Sequence, residues 1–326
     1  MPNPVELNTN LPEPGRVVPS PAPERQPGKY AELWKMMKQQ KQGYVLLAPY
    51  FILFFIFTAF PVVMAFALSF TYYNVLESPK WVGWENYATL FLKDEIFLVA
   101  LKNTLLFALI TGPLSYIACF LLAWLINELS PKIRAVVTLL FYAPSISGNV
   151  YLIWQVAFSG DSFGYVNAFL MKWGFILEPI QWLQDPKYML VIIMIVQLWL
   201  SLGTAFLAFI AGLQSMDRTL IEAGAIDGVK NRWQELWYIT LPSMRPQLMF
   251  GAVMQISSSF AVAEVATSMV GFPSPQYAAH TIVTHLNDYG TIRFEMGYAC
   301  AIATILFVIM LGSNMIIQRL LRKVGE

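Results

Sequence analysis

The chain has 326 residues, enough for two soluble domains, but 57% of them are hydrophobic, only 13% are charged and the mean hydropathy is +0.54. Soluble proteins carry about 25% charge, so the composition is that of an integral membrane protein. Lys and Arg total 21 against 20 Asp and Glu; a net charge of +1 offers no electrostatic footprint for DNA or RNA, so no nucleic-acid partner is expected. The two cysteines, Cys119 and Cys300, sit in apolar stretches with neither metal-ligand nor disulfide-framework spacing.

Residues 1–43 read as a disordered, proline-rich cytoplasmic tail with a basic juxtamembrane segment. Eight prolines fall in the first 27 residues, and the segment has too little apolar surface to fold. It lacks the apolar core and small-residue cleavage site of a secretory signal. Residues 44–326 read as one all-α membrane domain. A hydrocarbon layer of roughly 30 Å takes about 20 apolar residues per helix. Six stretches qualify: 45–70, 104–126, 135–158, 188–213, 246–270 and 297–318. Lipid excludes open strands, so all six are expected as helices. Pro61, Pro113, Pro144 and Gly148 interrupt them, which is tolerated where neighbours or a cavity satisfy the freed backbone. Fifteen Lys and Arg fall on one side of this arrangement and six on the other; the excess marks the cytoplasm, so both termini are expected there.

The 214–245 loop, between the fourth and fifth stretches, is too long and too patterned for a plain connector. Ser215 is placed to cap a helix from about Met216, with Asp217 in its first turn. Leu220, Ile221, Ala225 and Ile226 recur at helical spacing, and Gly228 suits the left-handed residue that ends a helix. A second helix is expected from about Asn231 to Tyr238, with Pro242 marking the turn back to the membrane.

The run Glu222, Ala223, Gly224, then Asp227 and Gly228, then Ile239, Thr240, Leu241 and Pro242 resembles the EAA loop of permeases from binding-protein-dependent ABC importers. The family pattern is EAA, two residues, DG, and about a dozen residues later I-x-LP. Gly224 replaces the second Ala and Val229 the Ala after the glycine. From about residue 44 onward the chain is similar to the carbohydrate-uptake subfamily, in the half typified by the larger maltose-permease subunit. LLAPYFILFFIFTAFPVVMAFALSF, APSISGNVYLIWQVAF, AGLQS and RFEMGYACAIATILF carry this likeness.

The resemblance implies a non-catalytic subunit in a prokaryotic cell membrane. It also implies a second permease chain, two ATPase subunits that bind ATP and Mg, and an extracytoplasmic solute-binding protein. The chain has no phosphate-cradling loop of its own: its one Gly-Lys pair, Gly28 and Lys29, is followed by Tyr30, not by the Ser or Thr the motif needs. Glu222, Ala223, Gly224, Asp227, Gly228, Leu241 and Pro242 are then expected to couple the ATPases to the membrane helices.

For the cargo pathway the fourth and fifth stretches supply Trp199, Ser201, Thr204, Gln255, Ser258, Ser259, Phe260 and Glu264. Hydroxyls and amides beside an aromatic ring suit a sugar. Glu264 is the only charge in the six stretches and is expected to face a partner or an aqueous cavity. The competing role for the serines is close helix packing. An anionic cargo such as glycerol phosphate would call for arginines that the stretches lack, and a secondary transporter would show internal repeats. His280 and His285, five apart, do not share a helical face and read as extracytoplasmic loop residues touching the binding protein; Asp288, Arg293 and Glu295 read as ordinary loop charges.

Overall fold

The computed structural model describes residues 41–322, which divide into two units between Phe60 and Pro61. Of the expected tail, residues 1–40 lie outside the described residues, and 41–43 form the start of a helix. In the first unit, α1 (Lys41–Phe54) runs into a π-helical stretch at Phe55–Ala59. The large apolar side chains of α1 are exposed on every face, which is how a helix meant for lipid reads.

The boundary falls after the first residue of α2 (Phe60–Leu68), and the second unit continues with a small antiparallel pair, β1 (Thr71–Tyr72) with β2 (Lys80–Trp81), in which Thr71 faces Trp81. After α3 (Glu85–Leu92) comes α4 (Glu95–Asn127), 33 residues without a break. Pro113 lies within α4 and leaves it continuous. At 1.5 Å per residue α4 is about 50 Å long. Its buried face carries Thr104, Phe107, Thr111, Ser115, Cys119 and Ala123 at steps of three or four; small side chains there admit close helix neighbours. Those neighbours are α8 (Pro186–Leu200), α9 (Thr204–Ser215) and α13 (Arg245–Phe260), with α16 (Met296–Arg322) packed on the far side of α13.

Among the described residues four helices are long and apolar enough to cross a membrane: Gln42–Leu68, Glu95–Asn127, Pro186–Ser215 and Met296–Leu321. The number reaches six when two bent pairs each count as one span. The first pair joins α5 (Pro131–Ile146) to α6 (Tyr151–Ala157) through an 87° bend; the second joins α13 to α14 (Glu264–Val270) through 40°. The third apolar stretch is thus broken at 147–150, beside Pro144 and Gly148, and does not run straight. The Pro186–Ser215 stretch also breaks between Leu200 and Thr204.

Between α6 and α8, with α7 (Tyr165–Lys172) inside it, a loop folds around Asn167, which is fully buried. Asn167 Nδ2 faces the carbonyls of Ser159, Asp161 and Ile180 at 3.0–3.1 Å. Its Oδ1 accepts from Ile180 N at 3.1 Å and from Trp182 Nε1 at 2.8 Å. One amide thereby takes up backbone groups that have no ladder to join.

Candidate functional site

The 214–245 loop leaves α9 at Ser215, whose Oγ donates back to Gly212 O at 2.9 Å. Ser215 therefore ends α9 and is not the expected cap. Asp217 is the cap instead, its carboxylate accepting from Thr219 N at 3.0 Å, and these hydrogen bonds with Thr219 hold it below the usual carboxylate range. It starts α10 (Arg218–Ile226). The other end of α10 is closed by two backbone bonds, Val229 N to Gly224 O at 2.9 Å and Gly228 N to Ala225 O at 3.4 Å, with Gly228 at φ +95°. This is the Schellman arrangement, in which the left-handed residue costs a glycine least.

Gly224 is the only buried residue of α10. It packs on Ile239, whose Cδ1 fills the space that a Cβ at position 224 would occupy. On the outer side Glu222, Ala223, Asp227 and Gly228 are exposed, as are Leu220 at 46% and Ile226 at 87%. α10 thus offers a short apolar face flanked by carboxylates, with no protein over it among the described residues.

The second helix is longer than the sequence indicates. α11 (Arg232–Glu235) is capped by Asn231, which accepts from Gln234 N at 2.8 Å. It continues through a π-helical turn at Leu236–Thr240 into α12 (Leu241–Ser243). Pro242 thus sits near the start of a helical turn, where its missing N–H is harmless, and the chain redirects only at Met244. Leu241 is half-buried and Pro242 exposed. Two contacts pin this helix to the end of α4: Arg232 Nη2 to Glu128 Oε2 at 2.8 Å, and the Trp124 and Trp233 rings with centroids 5.4 Å apart. A polar cavity of about 490 Å³ opens beside α10, lined by Arg218, Glu222, Arg232 and Glu128.

The candidate pathway residues meet where the helices break. Ser201 O, freed at the break between α8 and α9, accepts from Gln255 Nε2 at 3.1 Å and from Cys119 Sγ at 3.3 Å. The hydroxyls of Ser258 and Ser259 donate to Gln255 O at 3.0 and 2.7 Å. Ser201, Gln255, Ser259 and Phe260 are buried within the chain, whereas Thr204 and Glu264 are exposed. Glu264 opens α14 just past the bend, beside Tyr151 of α6. Gln155 of α6 donates to Ser268 O, which ties the short halves of both bent pairs. Trp199 packs edge-on against Trp154, centroids 5.4 Å apart.

At the end of α4 far from the loop lies a cluster that sequence reading placed wrongly. His280 and His285 are each only 2% exposed, so they are not surface residues. α15 (Ile282–Asn287) begins at the Thr281 cap, and the turn there folds His280 back so that its Nε2 lies 3.1 Å from His285 Nδ1. His285 Nε2 meets Asp94 Oδ2 at 3.0 Å, and Tyr298 OH donates to the same oxygen at 2.8 Å. Asp94 Oδ1 caps α4 through Phe97 N at 2.9 Å. Burial alone would raise the Asp94 pKa, but the His285, Phe97 and Tyr298 bonds hold it down at about 2. An ionised Asp94 can only accept, so His285 Nε2 is the donor of that bond. Burial first, and His285 second, keep His280 down at about 4, so it is neutral at physiological pH. Asp288 is nearly buried and pairs with Arg293 at 2.7 Å, so these two charges form a pair; Glu295 is exposed. The Asp94 cap signal, an acid just before an apolar run, was visible in sequence; its partners some 190 residues away were not.

No family model matches the chain. The probable ABC transporter permease protein YesP of Bacillus subtilis (strain 168) is 33% identical over 279 residues, covering 84% of this chain and 88% of that one. The lactose transport system permease protein LacF of Rhizobium radiobacter is 30% identical over 274 residues, covering 82% and 89%. Among solved structures, a chain of the bacterial alginate ABC transporter in complex with alginate pentasaccharide-bound periplasmic protein superposes with a TM-score of 0.68. It is 27% identical and is matched over its whole length by 90% of this chain. With helices that suit a multi-pass membrane protein, the chain belongs to the permease family of binding-protein-dependent ABC importers, in the carbohydrate-uptake subfamily.

Proposed function

We propose that this chain forms half of the translocation pathway for a sugar or oligosaccharide delivered by an extracytoplasmic binding protein. It works with a second permease chain and two ATPase subunits that bind ATP and Mg. In this reading each bent pair counts as one span, and both termini and the 214–245 loop lie on the cytoplasmic side, a placement supported by the Lys and Arg distribution.

The observation that carries the coupling part of this reading is the construction of α10. It is a short helix with sharp stops at both ends, an exposed apolar face and a braced partner helix behind it. Seated in a groove of an ATPase, it passes ATPase closure to the membrane helices as rigid-body motion. Ala223, Leu220 and Ile226 supply the contact, Glu222 pairs with a cation of the partner, and Gly224 keeps α10 tight on the loop behind it. Asp227 and Gly228 set the exit angle, while Leu241 and Pro242 return the chain to α13. Replacing Gly228 with Val forces a β-branched residue into the left-handed region. That variant should insert in the membrane and assemble yet lose ATP-driven uptake; full transport by it would refute the coupling role.

For the cargo, the broken helices bring polar groups to mid-bundle with no arginine among them, which favours a neutral, hydroxyl-rich solute. Thr204, Ser258 and Glu264 line the path. Trp199 supplies a stacking face beside Trp154, whose indole N–H lacks a partner among the described residues. Gln255, Ser201, Ser259 and Phe260 hold the breaks in shape behind them. Competition of labelled sugar uptake by Thr204→Ala and Glu264→Gln variants, read as a change in KM, tests the lining.

A further inference from the structure

The second helix of the 214–245 loop has three faces; two are covered by the chain itself, and the third touches it only where Trp233 meets Trp124. Leu236 and Thr240 are buried towards the bundle. Ile239, on another side, packs on Gly224 of α10. The remaining side carries Trp233 and Trp237, one turn apart and each 66% exposed, with Tyr238 beside them at 70%. Residues four apart share a helical face, so Trp233 and Trp237 stand together, turned away from Ile239 and therefore from α10.

The level of this face in the bilayer is fixed by Trp124. Trp233 contacts that ring, and Trp124 lies in the last turn of the apolar stretch 104–126, which at 1.5 Å per residue is about as long as the hydrocarbon layer is thick. The end of a span is where hydrocarbon gives way to headgroups, and Trp and Tyr, apolar in body and polar at the tip, collect there. At the start of α5, which follows α4 in the chain, Ile133 and Val136 are 55% and 61% exposed and Lys132 stands in the open. Lys230, just before the loop helix, is exposed too. A band of apolar residues with lysines at its edge matches a layer of anionic phosphates over acyl chains.

We infer that Trp233, Trp237 and Tyr238 are seated in the lipid headgroup layer, so that the second loop helix lies in the membrane interface as an anchor for α10. This goes beyond the coupling role and needs only the span end at Trp124. It gives the loop two separate contacts: an apolar face on α10 for protein, and an aromatic face for lipid.

The test uses the assembled transporter, with its partner subunits, in nanodiscs containing phosphatidylethanolamine and phosphatidylglycerol. Cys300 is replaced by Ala; Cys119 is buried and stays. Nitroxide labels are placed by Trp237→Cys, Tyr238→Cys and, as a control, Ile226→Cys, and collision with oxygen and with a water-soluble nickel chelate is measured by power saturation. Labels at 237 and 238 should collide more with oxygen than with nickel, at a depth matching the phosphates. Nickel-dominated collision at both would place the helix in water, and protection from both reagents would mean a protein covers it; either result overturns the anchor. Two labelled sites guard against one variant failing to assemble. The label at 226 reports separately on coupling: it should lose nickel access when the ATPases are present, and its failure to do so would count against the coupling reading alone.

Discussion

Ile239 occupies the space beside Gly224 that any larger side chain at position 224 would need. The contact is the only buried point of α10, and it sets how closely α10 lies on the helix behind it. The clashing atom is the tip of a flexible side chain, so Gly224→Ala should be absorbed by rotation of Ile239. Gly224→Val, with Val229 also close, should not; overpacking costs about 1–3 kcal/mol. Uptake assays on the two variants should therefore separate, with Ala near the parent and Val strongly reduced, and Gly224→Val paired with Ile239→Ala should recover.

Gln255 closes the break between α8 and α9 through Ser201 O. Gln255→Leu keeps the volume and removes the donor, leaving Ser201 O with the Gly203 amide at 2.8 Å and the weak Cys119 thiol. Losing one hydrogen bond of this kind costs about 0.5–1.5 kcal/mol. A lowered melting temperature in detergent is expected, with Gln255→Glu worse than Gln255→Leu because a carboxylate facing Ser201 O adds repulsion.

Asn167 should prove the most sensitive residue of the loop between α6 and α8. Asn167→Leu strands Trp182 Nε1, Ile180 N and the three carbonyls its amide serves. Limited proteolysis should then cut between residues 159 and 182, where the parent chain resists.

The His280 environment gives stability a pH dependence of definite sign. Its folded pKa, about 4, lies below the unfolded value of about 6.5, so the unfolded chain binds the proton more readily. The contribution is complete above about pH 6.5 and is lost as pH falls towards 4, with a slope of at most about 1.4 kcal/mol per pH unit. Asp94, depressed to about 2, adds a loss only below about pH 4. Melting temperatures measured from pH 7.5 to 4.5 should fall for the parent and fall less for His280→Gln.

The sequence makes the membrane spans, the loop and the glycine that ends α10 legible, because each rests on a local signal: apolar length, a cap residue, a left-handed turn. What stays hidden is set by distant partners. The break at Ser201 has no proline; its freed carbonyl accepts from Gly203 N within the break and from Gln255 and Cys119 on other helices. Ser215 and Asp217 are both reasonable caps, and Asp217 prevails because Ser215 bonds back into α9. The helical-spacing argument for His280 and His285 fails because the helix starts between them, so the 3.6-residue period does not apply across Thr281. The π-helical turn at Leu236–Thr240 adds a residue that no periodicity announces.

The unbroken α4 stands among the bent pairs α5–α6 and α13–α14 and the interrupted α8–α9. Compliance is therefore shared unequally across the bundle. A helix of 33 residues, tied near one end by Arg232 and Trp233 and at the other by the Asp94 cluster, is the stiff strut. Deformation is left to the three fractured helices around it. A displacement of the bundle would be taken up where the backbone is already open, at the depth where the polar side chains gather.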